Sequence, residues 1–264
     1  MSGDLIYRPL MEDMTWSYSR VTTFYKCPYM FFLRYIAGCK EKDQFFSSYG
    51  SWVHKLIERF YKGEIKRESL TTNFLIGFQT NVKGKKPNAN LVQRYIEEGT
   101  KYFDNFQPFP FETVGVENKV DFDLNGIKVT GVIDYIGVSN GEYLIVDHKS
   151  TEVKPRGNRK KPTNATMKLD EMLRQLYIYS TAVKNKFGKF PKSLCFNCFK
   201  AGTFVEEPFN IGTYNQTIKW FQDAVEEIKN TNEFIPNIEW FQCNYICGVC
   251  DECMYKDMGV RLID

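Results

Sequence analysis

The chain has 264 residues, of which 43% are hydrophobic and 25% are charged, as in an ordinary globular protein. Its 35 basic residues nearly balance its 32 acidic ones, so the net charge of +3 does not by itself indicate a nucleic-acid partner. No apolar run approaches the roughly 20 residues of a membrane helix, and the N-terminus carries acidic residues instead of a secretion signal. These features exclude a membrane span and favour a cytoplasmic protein.

The first part of the chain is predicted to be helical. Ser17–Lys26 and Pro28–Ile36 are two short helices separated at a Cys-Pro pair, because proline disfavours the helical conformation in the residue before it. Ser51–Lys62 has apolar residues at helical spacing and carries His54 on its first turn. Residues 64–112 are predicted to be helical with polar breaks.

Three antiparallel strands are predicted in the middle of the chain, at Thr113–Leu124, Ile127–Val138 and Tyr143–Thr151. Asn125-Gly126 and Asn140-Gly141 join them. Asn-Gly between apolar runs is the strongest short hairpin signal, because a type I′ turn needs a positive φ at both positions. We therefore expect two tight hairpins with two-residue turns.

These turns bring three carboxylates into one row. Glu117 is predicted to lie opposite Asp134, and Asp134 opposite Asp147. Like charges placed directly opposite each other destabilise a sheet, whereas a divalent cation between them would compensate. Lys149 faces the same way as Asp147, because residues two apart on a strand share a face. Two acids and a lysine beside a Mg²⁺ ion form the apparatus of metal-assisted phosphodiester hydrolysis.

The rest of the chain alternates helix and strand. Asp170–Phe187 is an amphipathic helix, Ser193–Phe199 a buried strand and Tyr214–Asn230 a last helix. This order predicts an α/β fold with a central sheet flanked by helices. A basic loop follows the carboxylate row and would contact DNA phosphates beside the metal, unless it is only a solvated loop. Its basic residues are Lys154, Arg156, Arg159, Lys160 and Lys161.

Four of the eight cysteines crowd together near the C-terminus: Cys243, Cys247, Cys250 and Cys253. Clustered cysteines in a reducing compartment bind metal more often than they form disulfides. Zinc ligands normally come in pairs a dozen or more residues apart, which this run does not provide. An iron–sulfur cluster takes four thiolates, so three of these cysteines and one distant cysteine fit the spacing better. Cys195 and Cys198 lie in the predicted buried strand and are expected to be core residues.

The motifs of this chain, taken together, resemble the PD-(D/E)XK nuclease superfamily. Gly131-Val-Ile-Asp134 followed by Ile145-Val-Asp147-His-Lys149 looks like its paired motif. Gly50-Ser-Trp-Val-His54 and Gln175-Leu-Tyr-Ile-Tyr179 resemble two helix motifs of the RecB-like branch. The segment around Cys27 and the C-terminal cysteines resemble the cluster-binding segments of that branch, which includes CRISPR-associated and phage-encoded iron–sulfur exonucleases.

The resemblance implies a PD-(D/E)XK restriction-endonuclease-like core with a central mixed sheet, helical additions and a [4Fe–4S] cluster bound by the C-terminal segment. It implies a single domain over residues 1–264. Its parts are 15–63 (N-terminal helices), 64–112 (helical insertion), 113–200 (catalytic sheet and helix) and 201–264 (C-terminal helix and cysteines).

The function implied by the resemblance is that of a Mg²⁺- or Mn²⁺-dependent DNA exonuclease acting on single-stranded ends. The pathway would be recombination and repair, phage DNA processing or CRISPR adaptation, with a helicase or an integrase as a protein partner. The alternative is a catalytically silent DNA-binding or assembly module of such a complex. The intact set of two acids and a lysine favours the enzyme.

Site residues carry over by position. Asp134, Asp147, Glu117 and His54 become metal ligands, and Lys149 becomes the catalytic lysine. Gln175 and Tyr179 share a helix face and border the active site, with a core-facing polar pair as the competing interpretation. The implied cluster ligands are Cys27, Cys243, Cys247 and Cys253, and in the competing set Cys250 replaces Cys243 or Cys247.

Overall fold

A five-stranded sheet organises the fold of the computed structural model, which describes residues 6–157 and 161–260. Its order is β1-β2-β3-β4-β5, with β3 and β4 parallel and the other neighbours antiparallel. The predicted mixed sheet flanked by helices is therefore confirmed. The strands are β1 (Glu112–Leu124), β2 (Ile127–Ser139), β3 (Glu142–Lys149), β4 (Ser193–Cys198) and β5 (Thr203–Pro208).

The two hairpins have the predicted turns and register. Asn125 and Gly126 have φ of 52° and 88°, and Asn140 and Gly141 have φ of 51° and 75°, as a type I′ turn requires. The pairs Val116–Tyr135 and Asn118–Ile133 bracket Glu117 and Asp134. Pairing of β2 with β3 ends at Tyr135 and Val146, one residue short of Asp134 and Asp147. The pairing of β2 with β3 thus stops just before the two aspartates.

Helices surround this sheet. One hydrophobic core joins the sheet to α2, α7 and α8, while a second forms among α4, α5 and α6 and includes Phe199 at the end of β4. The described α-helices are α1 (Arg8–Glu12), α2 (Tyr18–Lys26), α3 (Pro28–Phe31, continued by a π-helical turn over Phe32–Ile36), α4 (Phe45–Tyr61), α5 (Leu70–Asn81), α6 (Ala89–Asp104), α7 (Asn164–Phe187), α8 (Ile211–Lys229) and α9 (Lys256–Val260). Among them, none is long and apolar enough to cross a membrane.

Several boundaries differ from the prediction. The helix that carries His54 starts at Phe45 instead of Ser51, because Phe45 and Tyr49 extend its buried face past Gly50. β5 was not predicted, and it extends the sheet beyond residue 200 into the segment expected to hold only the last helix and the cysteines. From Phe204 to Pro208 its residues alternate between exposed and buried positions, but the charged side chain of Glu207 occupies a buried one and hides the strand pattern.

Candidate active site

A cleft of about 560 Å³ opens beside the middle of β2 and the C-terminal end of β3, between the sheet and α4. α4 contributes residues to one side of it, and the strands and α7 contribute the rest. The fold therefore brings most of the predicted site residues into one place. The predicted residues that line the cleft are His54, Glu117, Asp134, Asp147, Lys149 and Gln175.

His54, Glu117 and Asp134 form a compact group at this cleft. One ligand atom from each of the three side chains lies within 4.8 Å of the other two. Among the described residues, no other group of three or more His, Cys, Asp or Glu side chains meets this distance limit. His54 Nδ1 is 3.5 Å from Asp134 Oδ2 and 3.7 Å from Glu117 Oε1. These are the donor atoms that bind a divalent cation such as Mn²⁺.

The orientation of the His54 ring suits a metal ligand. Its Nε2 lies 3.0 Å from the carbonyl oxygen of His148, so an N–H at Nε2 donates to that carbonyl while Nδ1 faces the carboxylates. Metal-binding histidines are commonly held in this way, with the other ring nitrogen hydrogen-bonded to a carbonyl or carboxylate.

Asp147 and Lys149 form the other half of the cleft. Lys149 Nζ is 2.7 Å from Asp147 Oδ2 and donates to Gln175 Oε1 at 3.1 Å. Asp147 Oδ2 is buried and, despite the nearby ammonium, has no aligned hydrogen-bond donor within the described part of the chain. A buried carboxylate oxygen in this state is suited to accept a cation. Asp147 is not a member of the His54 group, and its Oδ2 lies against the Lys149 ammonium.

The site favours protons in the absence of metal. Burial and the neighbouring Asp147 carboxylate raise the pKa of Asp134 to about 7. Burial opposes the charged form of His54, but Glu117, Asp134 and Asp147 outweigh it and raise the pKa of His54 to about 8. Cation ligands must be deprotonated, so a bound cation would displace these protons.

Glu117 has an unusual backbone. Its φ is 48°, in the left-handed region that favours glycine. Such strain costs about 1–3 kcal/mol and tends to occur at functional sites. A register shift lies upstream, between Thr113 and Gly115, so it leaves Glu117 beside Asp134.

Gln175 and Tyr179 are placed differently along α7. Gln175 reaches the cleft and binds Lys149, whereas Tyr179 is buried behind it. The Tyr179 ring lies against β2 at Gly131, where a Cβ atom would come within 2.4 Å of Cε1. Burial and the charge of Asp147 raise the pKa of Tyr179 to about 12, so the phenol stays neutral. Gly131 is needed for this close packing.

The basic loop is only partly described. Arg156 is engaged in ion pairs with Asp170 at 2.5 Å and Glu207 at 2.9 Å, while Lys154 and Lys161 are exposed. Arg159 and Lys160 lie outside the described residues. Arg156 therefore fastens the loop to α7 and β5, and contact of this loop with DNA stays a prediction.

Five cysteines line one small cavity next to α3: Cys27, Cys243, Cys247, Cys250 and Cys253. Cys27 also caps α3, since its sulfur accepts a hydrogen bond from the Met30 amide at 3.4 Å. Burial, with smaller contributions from the neighbouring thiols, raises the pKa of Cys247 to about 12. Both competing ligand sets thus face the same cavity. Cys195 and Cys198 are buried in β4.

Sequence reasoning did not identify His148, Asn197 and Tyr102. The backbone amide of His148 donates to Asp134 Oδ2 at 2.7 Å, and its ring is connected through Asn197 to Tyr102. Burial lowers the pKa of His148 well below its ordinary value, so the ring is neutral. A polar Asn in a strand whose every residue is buried was the one available signal, because buried polar groups need partners.

Part of this sequence is similar to known proteins. The chain is 28% identical over 170 residues to one subunit of the ATP-dependent helicase/deoxyribonuclease of Streptococcus agalactiae, covering 58% of this chain and 16% of that protein. For the Streptococcus mutans protein of the same name the identity is 26% over 163 residues, covering 54% of this chain and 15% of that protein. The chain thus spans less than a fifth of the length of these curated relatives.

The fold is similar to that of a crystal structure of a candidate exonuclease from Eubacterium rectale. The TM-score is 0.51 at 11% identity, over 96% of this chain and 92% of that one. At this identity the likeness supports the fold alone. The model of the PD-(D/E)XK nuclease superfamily matches residues 15–258, which is nearly the whole chain. This chain belongs to the PD-(D/E)XK nuclease superfamily.

Proposed function

We propose that the chain is a Mg²⁺- or Mn²⁺-dependent deoxyribonuclease that shortens single-stranded DNA from its ends. The observation that supports this most is the joint placement of the His54, Glu117 and Asp134 group and the Asp147–Lys149 pair in one cleft. A catalytically silent module would have no use for a lysine held beside a row of acids that are costly to bury.

In this proposal His54, Glu117 and Asp134 hold the cation, and Asp147 joins them. When bound, the cation polarises the phosphate and lowers the pKa of a water molecule. Lys149 is oriented by Asp147 and Gln175, so that its ammonium faces the cleft and donates to the attacking water or to a phosphate oxygen. The Nε2–H bond to the His148 carbonyl keeps Nδ1 of His54 toward the cation.

The preference for single strands rests on the size of the cleft. About 560 Å³ lies in the range that holds one small ligand, so it suits a nucleotide of one strand better than a duplex. A direct test offers the protein three end-labelled or internally labelled DNAs with Mn²⁺: a linear single strand, a closed single-stranded circle and a blunt duplex. Fast loss of the linear strand alone is expected. Equal cleavage of the circle would overturn the end requirement.

We further propose a [4Fe–4S] cluster held by Cys27, Cys243, Cys247 and Cys253, which would connect α3 to the C-terminal segment. The observation that supports this is the convergence of Cys27 with the four C-terminal cysteines on one small cavity, because an iron–sulfur cluster takes four thiolates. Anaerobically purified protein should be brown, with absorbance near about 400 nm. A colourless, zinc-containing preparation would overturn it.

The relatives' names motivate a proposal about the partner. Because the curated relatives are subunits of a helicase/deoxyribonuclease, we propose that this nuclease degrades strands exposed by a DNA helicase, in recombination, phage DNA processing or CRISPR adaptation. A duplex that resists the chain alone should be degraded once a helicase and ATP are added. Unchanged resistance would count against this partner.

A further inference from the structure

His148 holds two members of the proposed metal site through its own backbone. Its amide donates to Asp134 Oδ2 at 2.7 Å, and its carbonyl oxygen lies 3.0 Å from His54 Nε2. The amide and the carbonyl belong to one residue, so any shift of His148 moves the carboxylate and the imidazole together. The position of His148 therefore sets the geometry of the site.

The His148 side chain is held by its own set of contacts, which include an edge-to-face contact with the His54 ring at a centroid distance of 5.2 Å. Alternate strand residues face opposite sides, so its ring points away from Asp147 and Lys149. There Asn197 Nδ2 lies 3.0 Å from His148 Nδ1, and Phe109 packs over the ring with centroids 6.1 Å apart. His148 and Asn197 are also partners in the parallel pairing of β3 with β4.

Tyr102 completes this chain of contacts. Asn197 Nδ2 donates to the Tyr102 hydroxyl at 2.8 Å, so the two N–H groups of the amide have one acceptor each. His148 and Asn197 are only 4% and 6% exposed, and buried polar networks of this kind fix one arrangement when every member is satisfied. Tyr102 belongs to α6, in the helical segment that carries no nuclease motif.

We propose that Asn197 and Tyr102 are positioning residues of the active site. They fix the His148 side chain and thereby orient the two backbone groups that hold Asp134 and His54, without touching cation or DNA. This inference rests on the proposed function. It gives the helical segment 64–112 a role in the chemistry, since one hydroxyl on α6 connects that segment to the cleft.

The experiment measures Mn²⁺ affinity by calorimetry and DNA cleavage at saturating Mn²⁺ for Tyr102→Phe and Asn197→Leu. Changes behind metal ligands typically cost 10–100-fold in affinity. We expect a loss of about 10–100-fold for Asn197→Leu and of about 3–10-fold for Tyr102→Phe, which is one contact further away. Excess Mn²⁺ should restore much of the kcat of Tyr102→Phe, and KM for DNA should stay unchanged.

Tyr49→Phe is the matched control. Tyr49 is a buried tyrosine of the same helical core, and its hydroxyl has no hydrogen-bond partner within the described part of the chain. Its removal should leave Mn²⁺ affinity unchanged. A purely structural role predicts that the test variants lose thermal stability but keep the Mn²⁺ affinity of Tyr49→Phe, and that result would overturn the inference. If Asn197→Leu does not fold, the Mn²⁺ affinity of Tyr102→Phe alone tests the inference. A wild type that neither binds Mn²⁺ nor cleaves DNA would instead overturn the proposed function.

Discussion

The affinity of the site for Mn²⁺ should depend steeply on pH. The pKa of Asp134 is raised to about 7 by burial and Asp147. The pKa of His54 is raised to about 8, because its carboxylate neighbours outweigh the opposing effect of burial. Each group can bind a cation only after it has lost its proton. Affinity should therefore increase as the pH rises through this range.

The size of the effect follows from the number of protons that Mn²⁺ displaces. Asp134 and His54 are in contact and titrate as a coupled pair. Each proton released per Mn²⁺ lowers the dissociation constant about tenfold for every unit by which the pH rises. The dissociation constant for Mn²⁺ should therefore be at least about tenfold higher at about pH 6 than at about pH 9. Calorimetry in buffers of different ionisation heats should count about two protons released per Mn²⁺ at the acidic end and close to none at the alkaline end.

A matched variant separates the two groups. His54→Asn has no proton to lose, so its Mn²⁺ binding should be weaker but should release about one proton fewer at the acidic end. The reasoning would be refuted if wild-type protein bound Mn²⁺ equally well at both ends of the range without releasing protons.

Three further changes test the energetics of the site. Asp134→Asn should raise the unfolding free energy of the metal-free protein at about pH 8 by about 1–3 kcal/mol. The reason is that the pKa of Asp134 is raised in the folded state, so ionisation of this carboxyl destabilises the fold as the pH rises above the ordinary pKa of aspartate. Mn²⁺ should stabilise wild type but not this variant, and a variant that is less stable than wild type in urea unfolding would contradict the prediction. Glu117→Gly should be about 1 kcal/mol more stable than Glu117→Ala, because the φ of 48° suits only glycine; equal urea midpoints would argue against strain there. Gly131→Ala should lose about 1–3 kcal/mol of stability, because the added Cβ would clash with Tyr179. In calorimetric melting, adding Tyr179→Ala to this variant should recover part of the loss. Effects of the two substitutions that simply add would be the contrary result.

The carboxylate row of Glu117, Asp134 and Asp147 could be predicted because its parts are local. The Asn-Gly turns fix the hairpin register within a few residues, and that register places Glu117 next to Asp134. Asp147 and Lys149 follow from the alternation of one strand. His54 needed the family motif, since no local rule places a residue of α4 beside Asp134 of β2.

The missed features depend on contacts between distant segments. The Tyr102–Asn197 hydrogen bond joins residues 95 positions apart, and no periodicity records it. β5 was missed because Glu207 occupies a buried position that only its ion pair with Arg156 makes acceptable. The same ion pair removes Arg156 from the freely exposed basic residues that the loop was expected to offer.

The most direct measurement of the central claim is the degradation of end-labelled single-stranded DNA with Mg²⁺ or Mn²⁺. Wild type should release labelled nucleotides, chelation of the metal should stop the release, and Asp134→Ala and Lys149→Ala should each reduce it by about 10²–10³-fold or more. Lys219→Ala, at an exposed position on α8 outside the cleft, serves as the charge-matched control and should retain most of the activity. Equal activity in wild type, Asp134→Ala and Lys149→Ala would contradict the assignment of this cleft as the active site.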